Sequence, residues 1–150
     1  MENLQDDLLK IVNRFNNAVV LYCDEFAGME NFVNRFKDRA FNFSGEQSMM
    51  MAACGFAARG KMPIIVCSSA KIANAYAQLR DGICIPNLNV KIFAVGDGVR
   101  DAEVVGAMPN IRVMVPFGGL RAGLARHDSG YLYGNFEEFG PVYFNFSGVP

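Results

Sequence analysis

Residues 41–67 read FNFSGEQSMMMAACGFAARGKMPIIVC. The apolar run Ala40 to Phe43 predicts a short strand, and it delivers the chain to Ser44, which stands three positions before Gln47 in the spacing of a helix capping box. Small and flexible residues follow as far as Gly60, so the stretch predicts a helix that begins at Ser44, packs closely on a sheet and is closed by that glycine. Pro63 to Cys67 (PIIVC) is then a compact apolar run of strand length, which predicts a buried strand.

The same alternation extends in both directions. Upstream, Leu4, Leu8, Ile11, Val12 and Phe15 recur at helical spacing, AVVLY at 18–22 predicts a buried strand, and Met29, Phe32, Val33 and Phe36 predict a second short helix. Downstream, a helix is predicted from Ala70 to about Cys84, a strand from Val90 to Val95, a short helix from Asp101 to Ala107 and a strand from Ile111 to Val115. A weak helix over Gly119 to Arg126 and a last strand, Val142 to Phe146, complete the series. Strands that are continuously apolar are buried on both faces. Their alternation with helices predicts a single α/β domain of three layers, a mainly parallel sheet with helices on both faces. Such sheets bind ligands beyond the carboxyl ends of their strands, here the loops near Cys23 to Phe26, Ser44 to Glu46, Cys67 to Ala70 and Gly96 to Gly98.

Composition narrows the function classes. The chain has 150 residues, 14 basic against 15 acidic, for a net charge of −1, which is not the electrostatic footprint of a nucleic-acid binder. The longest apolar stretch, Met49 to Ala58, falls well short of the ~20 residues of a membrane span, and the acidic start MENLQDD is unlike a secretory signal. A soluble, cytoplasmic protein is expected. Cys23, Cys54, Cys67 and Cys84 lie 31, 13 and 17 positions apart inside apolar segments, with no CxxC pair, and are expected to be buried free thiols. The single histidine, His127, sits in the polar stretch RHDSG, where a solvated or cap-neighbouring role is expected, and Arg121 and Arg126 are expected to be solvated.

The stretch from Phe41 to Lys61 resembles the pyrimidine-binding domain of the transketolase family, which includes deoxyxylulose phosphate synthase and the pyruvate dehydrogenase beta subunit. Gly45, Glu46, Gln47, Met49, Ala53, Gly55, Ala57, Gly60, Lys61 and Pro63 follow the family's order. Ala75-Tyr76 with Gln78, Asn87 to Lys91, Asp101, Met108-Pro109-Asn110 with Val113 and Pro116, and Gly140 to Tyr143 are similar to the rest of that domain. The resemblance implies the fold already expected and chemistry with thiamine diphosphate. In the family, the glutamate matched by Glu46 hydrogen-bonds a ring nitrogen of the aminopyrimidine, and the cofactor so activated attacks a ketose or a 2-keto acid. That role needs a proton held near neutral pH, hence an apolar setting; Phe41, Phe43 and Met49 to Met51 are the residues expected to supply it. On its own Glu46 would be a first-turn carboxylate, favoured by the helix dipole by about 0.3–1 kcal/mol.

Departures from the family pattern are equally specific. Where family enzymes carry aromatic residues around the aminopyrimidine, this chain aligns Ser68, Lys71 and Asn74, so a stacking contribution of about 0.5–1.5 kcal/mol per ring pair is forgone. A family histidine expected shortly before Asp101 has no counterpart, and Gly96-Asp97-Gly98 reads as a strand-end turn rather than a magnesium motif. The resemblance thus implies a cofactor-contacting set of Ser44, Gly45, Glu46, Ser68, Lys71 and Asn74, with Glu46 catalytic and no metal ligand in this chain.

Family enzymes set the cofactor between this domain and a diphosphate-binding domain, usually on a second subunit, which also holds the magnesium. The expected partners are therefore a diphosphate-binding transketolase-like subunit, further copies of this chain, and a sugar phosphate or keto acid. The expected activity is that of a split subunit, with a non-catalytic scaffold or regulator as the alternative. A face left uncovered without the partner predicts association into an oligomer.

Overall fold

The computed structural model describes residues 2–23, 29–96, 101–114 and 134–146. Along the chain run α1 (Glu2–Arg14), β1 (Ala18–Cys23), α2 (Glu30–Arg35), β2 (Ala40–Phe43), α3 (Glu46–Ala58), β3 (Met62–Ser68), α4 (Ser69–Ala73) and α5 (Tyr76–Gln78). A π-helical turn (Leu79–Cys84), β4 (Lys91–Val95), α6 (Asp101–Gly106), β5 (Arg112–Met114) and β6 (Val142–Phe146) follow, with a helical turn at 134–137 ahead of β6. The six strands form one sheet in the order β2-β1-β3-β4-β6-β5, and every pairing is parallel. The weak helix at 119–126, Val115, His127, the arginines 121 and 126, Asp24 to Phe26 and Asp97-Gly98 lie outside the described residues.

The period of two in each strand divides the core. Val19, Leu21, Cys23, Ile65, Cys67, Ile92, Ala94 and Tyr143 face one side, under Met49, Met50 and Ala53 of α3, Ile72 of α4 and Leu79 and Ile83 of the π turn. Val20, Ile64, Val66, Phe93, Val142 and Phe144 face the other, under Leu8, Ile11 and Val12 of α1 and Phe32 of α2. Phe136, from the turn at 134–137, stacks on Phe144 at 5.4 Å between ring centroids and meets the edge of Phe93 at 5.8 Å. Helices therefore cover both faces of a wholly parallel sheet, which is the three-layer α/β architecture its continuously apolar strands predict.

Two local expectations are corrected. Helix α3 starts one residue later than the capping box places it: Gly45 is the N-cap, with extended backbone and no side-chain cap bond, and Ser44 is exposed. Gln47 does not reach back to close the box; its amide donates instead to the Asn74 carbonyl at 3.0 Å. The helix expected over 70–84 is broken at Asn74-Ala75 and resumes as a short α-helix that widens into the π turn. The widening follows from packing. Gly82 lies so close to α3 that a β-carbon there would stand 2.9 Å from Cys54 Sγ, and that thiol donates to the Gly82 carbonyl at 3.2 Å.

Candidate functional site

The chain passes from β1 outward to β2 and then returns past β1 to β3, so β1 and β3 are neighbours whose connections leave in opposite directions. The carboxyl ends of such strands frame the crevice in which open α/β sheets bind ligands. Cys23 ends β1 there, beside Phe43 at the end of β2, and Ser68 ends β3 beside Val95. The crossover from β2 enters α3 at this rim, which makes Glu46 the first residue of a helix whose N-terminus points at the crevice.

The residues singled out in the sequence gather at this rim. Ser68 is the N-cap of α4, its hydroxyl accepting from the Lys71 backbone N–H at 3.3 Å, and Asn74 is the C-cap of the same short helix. The Gln47 bond to Asn74 ties the first turn of α3 to the end of α4. Glu46 is half-buried, and its carboxyl is held below the ordinary glutamate range by its own backbone N–H, by the Asn74 side chain and by the Lys71 charge, against a smaller opposing effect of burial. Ser44, Gly45, Glu46, Lys71 and Asn74 thus lie together at the rim, with Ser68 at the start of α4 joined to Lys71 through its cap bond.

Among the described residues, Phe41 and Met49 to Met51 do not form the apolar cover expected over Glu46. Met49 and Met50 are wholly buried in the core, Met51 points outward, and Phe41 packs on Phe56 with 5.1 Å between centroids. Position along α3 explains the difference, because the side chains one turn beyond Glu46 follow the sheet-facing stripe while the first turn projects past the strand ends. Lys71 and Asn74, at positions where family members carry rings, instead favour the ionised carboxylate.

Two further groups lie at the same end of the sheet, and sequence spacing gave no sign of either. Cys23 and Cys67, side by side on β1 and β3, bring their sulfurs to 3.2 Å, with Met49 Sδ 3.8 Å from Cys23. The hydrogen-bonded Cys23 thiol and burial push Cys67 far up, so Cys67 is packing rather than a nucleophile. Tyr76 donates to Asp101 Oδ1 at 2.7 Å, joining α5 to the first residue of α6, and the buried Ser69 and Tyr143 hydroxyls make no hydrogen bond among the described residues. Both Tyr76 and Asp101 are family-like positions, but their 25-residue separation hides the bond. No cluster of three or more metal-ligating side chains stands among the described residues, and no described helix is long and apolar enough to cross a membrane.

With this geometry in view, the relatives can be placed. No protein-family model matches the chain. The 1-deoxy-D-xylulose-5-phosphate synthase of Mannheimia succiniciproducens is 30 % identical over 123 residues, 73 % of this chain and 20 % of that enzyme. The enzyme of the same name from Natranaerobius thermophilus is 29 % identical over 126 residues, again 73 % and 20 %. A split-gene transketolase, in the form of an inactive beta4 tetramer, superposes with a TM-score of 0.82 at 29 % identity, covering 99 % of this chain and 52 % of that one. Benzoylformate decarboxylase from Polynucleobacter necessarius shares the fold, with a TM-score of 0.63 at 14 % identity over 94 % of this chain and 29 % of its own. The chain spans about a fifth of the length of these synthases and about half of the split transketolase. Sheet order, the α3 mouth and these relatives make the chain a transketolase-family domain of the pyrimidine-binding type.

Proposed function

We propose that the chain is the pyrimidine-binding subunit of a split transketolase-like enzyme, presenting Glu46 to a thiamine diphosphate site that a diphosphate-binding partner subunit completes. The observation that carries this reading is the position of Glu46 at the N-terminal mouth of α3, on the rim of the β1/β3 crevice. The cofactor, when bound, supplies a carbon nucleophile suited to ketol transfer from a sugar phosphate or keto acid. The residues of this chain fit its aminopyrimidine end in part. Glu46 offers the carboxyl for a ring nitrogen, Gly45 and Ser44 leave the approach to it open, and Ser68, Lys71 and Asn74 offer polar contacts where an aromatic platform would otherwise lie.

For Glu46 to donate rather than accept a hydrogen bond, its proton affinity must rise, and this chain alone pushes it down. A partner that covers the rim would do so by excluding water and by drawing Lys71 or Asn74 away from the carboxylate. Magnesium and the diphosphate belong to that partner in this reading.

Calorimetric titration of thiamine diphosphate with magnesium is the test, into this chain, into a candidate diphosphate-binding subunit, and into their mixture. Heat confined to the mixture and lost in Glu46→Gln is the expected result. The polar residues at the ring positions favour a second reading, a non-catalytic paralogue that acts as scaffold or regulator. Complex formation with no cofactor heat selects it and removes the first.

A further inference from the structure

The function proposed above gives no duty to the sulfur atoms beneath the rim. Cys23, the last residue of β1, and Cys67, the last but one of β3, are wholly buried on the same face of the sheet. The register of β1 on β3 pairs Tyr22 with Val66, so these two cysteines are the next opposed residues. Neighbouring strands lie about 4.8 Å apart, within the range of about 4.4–6.8 Å between α-carbons that a disulfide spans. Their sulfurs already stand 3.2 Å from each other. Reaching a bond of about 2.05 Å asks for a closure of roughly 1 Å, which side-chain rotation supplies. Cys54, by contrast, gives its thiol to the carbonyls of Met50 and Gly82.

The hydrogen bond within the pair makes its members unequal. A Cys67 thiol that keeps its proton and donates it to the Cys23 sulfur favours the thiolate at Cys23 over the thiolate at Cys67. Cys23 is therefore the attacking sulfur and Cys67 the resolving one.

We propose that Cys23 and Cys67 form a reversible disulfide site, reduced at rest and closed by hydrogen peroxide. The Cys23 thiolate attacks one peroxide oxygen and the O–O bond breaks. The other oxygen departs as hydroxide and takes up the proton that Cys23 released, which leaves Cys23 as a sulfenic acid and one water. The Cys67 sulfur then attacks the Cys23 sulfur. The S–O bond breaks, and the hydroxide leaves as a second water with the Cys67 proton. Two thiols lose two electrons in all, and the peroxide gains them.

Resting on the function proposed above, the bond bears on the cofactor site. Closure draws Cys23 away from Met49 Sδ, now 3.8 Å off, and Met49 lies one turn beyond Glu46 on α3. It also pulls on Cys67, whose neighbour Ser68 caps the helix that carries Lys71 and Asn74. Both supports of the Glu46 carboxylate are thereby displaced. Oxidised chain is expected to bind the cofactor about tenfold more weakly, and bound cofactor to disfavour the bond by the same factor.

Peptide mapping after hydrogen peroxide treatment tests the bond without cofactor or partner. Trypsin places Cys23 in peptide 15–35, Cys54 in 40–59, Cys67 in 62–71 and Cys84 in 81–91, so each linkage has its own mass. With remaining thiols alkylated, the expected product joins 15–35 to 62–71, disappears on treatment with dithiothreitol and forms with circular dichroism unchanged. Cys67→Ala is expected to abolish the link and leave a Cys23 sulfenic acid that dimedone captures, whereas Cys54→Ala keeps the link. The proposal is overturned if Cys23 and Cys67 both stay alkylatable, if Cys54 or Cys84 takes the place of either, or if the link appears only as the dichroism of the fold is lost. Titration of thiamine diphosphate with magnesium into the mixture with the diphosphate-binding subunit then separates the two readings. No heat with reduced or oxidised chain sinks the thiamine reading and leaves the disulfide standing. Cofactor heat with no linked peptide does the reverse, and equal affinity in both states removes the effect on the site.

Discussion

Tyr76 and Tyr143 stand near one another under the rim, and loss of the hydroxyl should act on them in opposite directions. The Tyr76 hydroxyl donates to a half-buried carboxylate, Asp101, at 2.7 Å, and burial together with that carboxylate pushes its pKa up. Hydrogen bonds to charged groups contribute about 1.5–3 kcal/mol, so Tyr76→Phe is expected to lower the urea midpoint by an amount worth about 1–2 kcal/mol at unchanged m-value. The Tyr143 hydroxyl is fully buried and has no hydrogen bond among the described residues. Tyr143→Phe removes a buried hydroxyl that lies close to Ser69 without reaching hydrogen-bond geometry, and is expected to be neutral or stabilising by up to about 1 kcal/mol. A loss above 1 kcal/mol there would show that the hydroxyl is engaged after all. In the sequence Tyr76, Asp101 and Tyr143 are family-like positions, and nothing in their spacing gives any of them a partner. The pairing depends on where α5 and α6 end relative to one another, and residue type carries no information about that.

Among the elements, the strands were the most legible. Their apolar runs are short, continuous and bounded by glycine, proline or polar residues, and burial on both faces requires such runs wherever they fall in the sheet. The segment 70–84 misled because its composition suits a helix throughout, whereas its actual course is set by contact with α3. The same contact decides how Glu46 is presented, since α4 supplies the Lys71 and Asn74 that neighbour it. Gly82 reports on this directly. Adding a methyl group would press on Cys54 Sγ, which already donates to the carbonyls of Met50 and Gly82 at 3.2 Å. Gly82→Ala is therefore expected to cost about 1–2 kcal/mol in thermal or denaturant unfolding, within the usual range for overpacking. On a Cys54→Ala background the same change should cost less than half as much, because the obstructing sulfur is gone. Equal penalties in both backgrounds would mean that the π turn is held by its own backbone and not by α3.

Across the whole molecule the two ends of the sheet have separate duties, with the candidate site at the carboxyl ends and a lock at the amino ends. Sequence alternation announces the layers and is silent on strand order, in particular on the insertion of β6 between β4 and β5. The insertion is fastened by Lys91, the fully buried first residue of β4, whose Nζ donates to the carbonyls of Glu138 and Gly140 at 2.8 Å each just ahead of β6. A neutral amine has two N–H groups for these two acceptors, and burial, helped by the nearby Arg112 charge, pushes the Lys91 pKa down to about 7. Between that value and the ordinary lysine value near 10.4, the unfolded chain binds a proton that the folded chain does not, so stability rises with pH at up to about 1.4 kcal/mol per unit. The opposite sign applies to Cys54 and Cys84, whose thiols burial holds above their ordinary range, and to Cys67, held up by its hydrogen bond with Cys23 and by burial. Once the unfolded chain's thiols begin to ionise, near pH ~8.5, they work against further gain. Unfolding free energy should accordingly climb from pH 7 to about 8.5 and then level or decline. Lys91→Met, which removes the titrating group and leaves two carbonyls without their donor, is expected to be less stable at pH 8.5 by a few kcal/mol. It should also lose the climb between pH 7 and 8.5, and persistence of that climb in the variant would assign it to some other group and remove the lock from the account of how β6 is held.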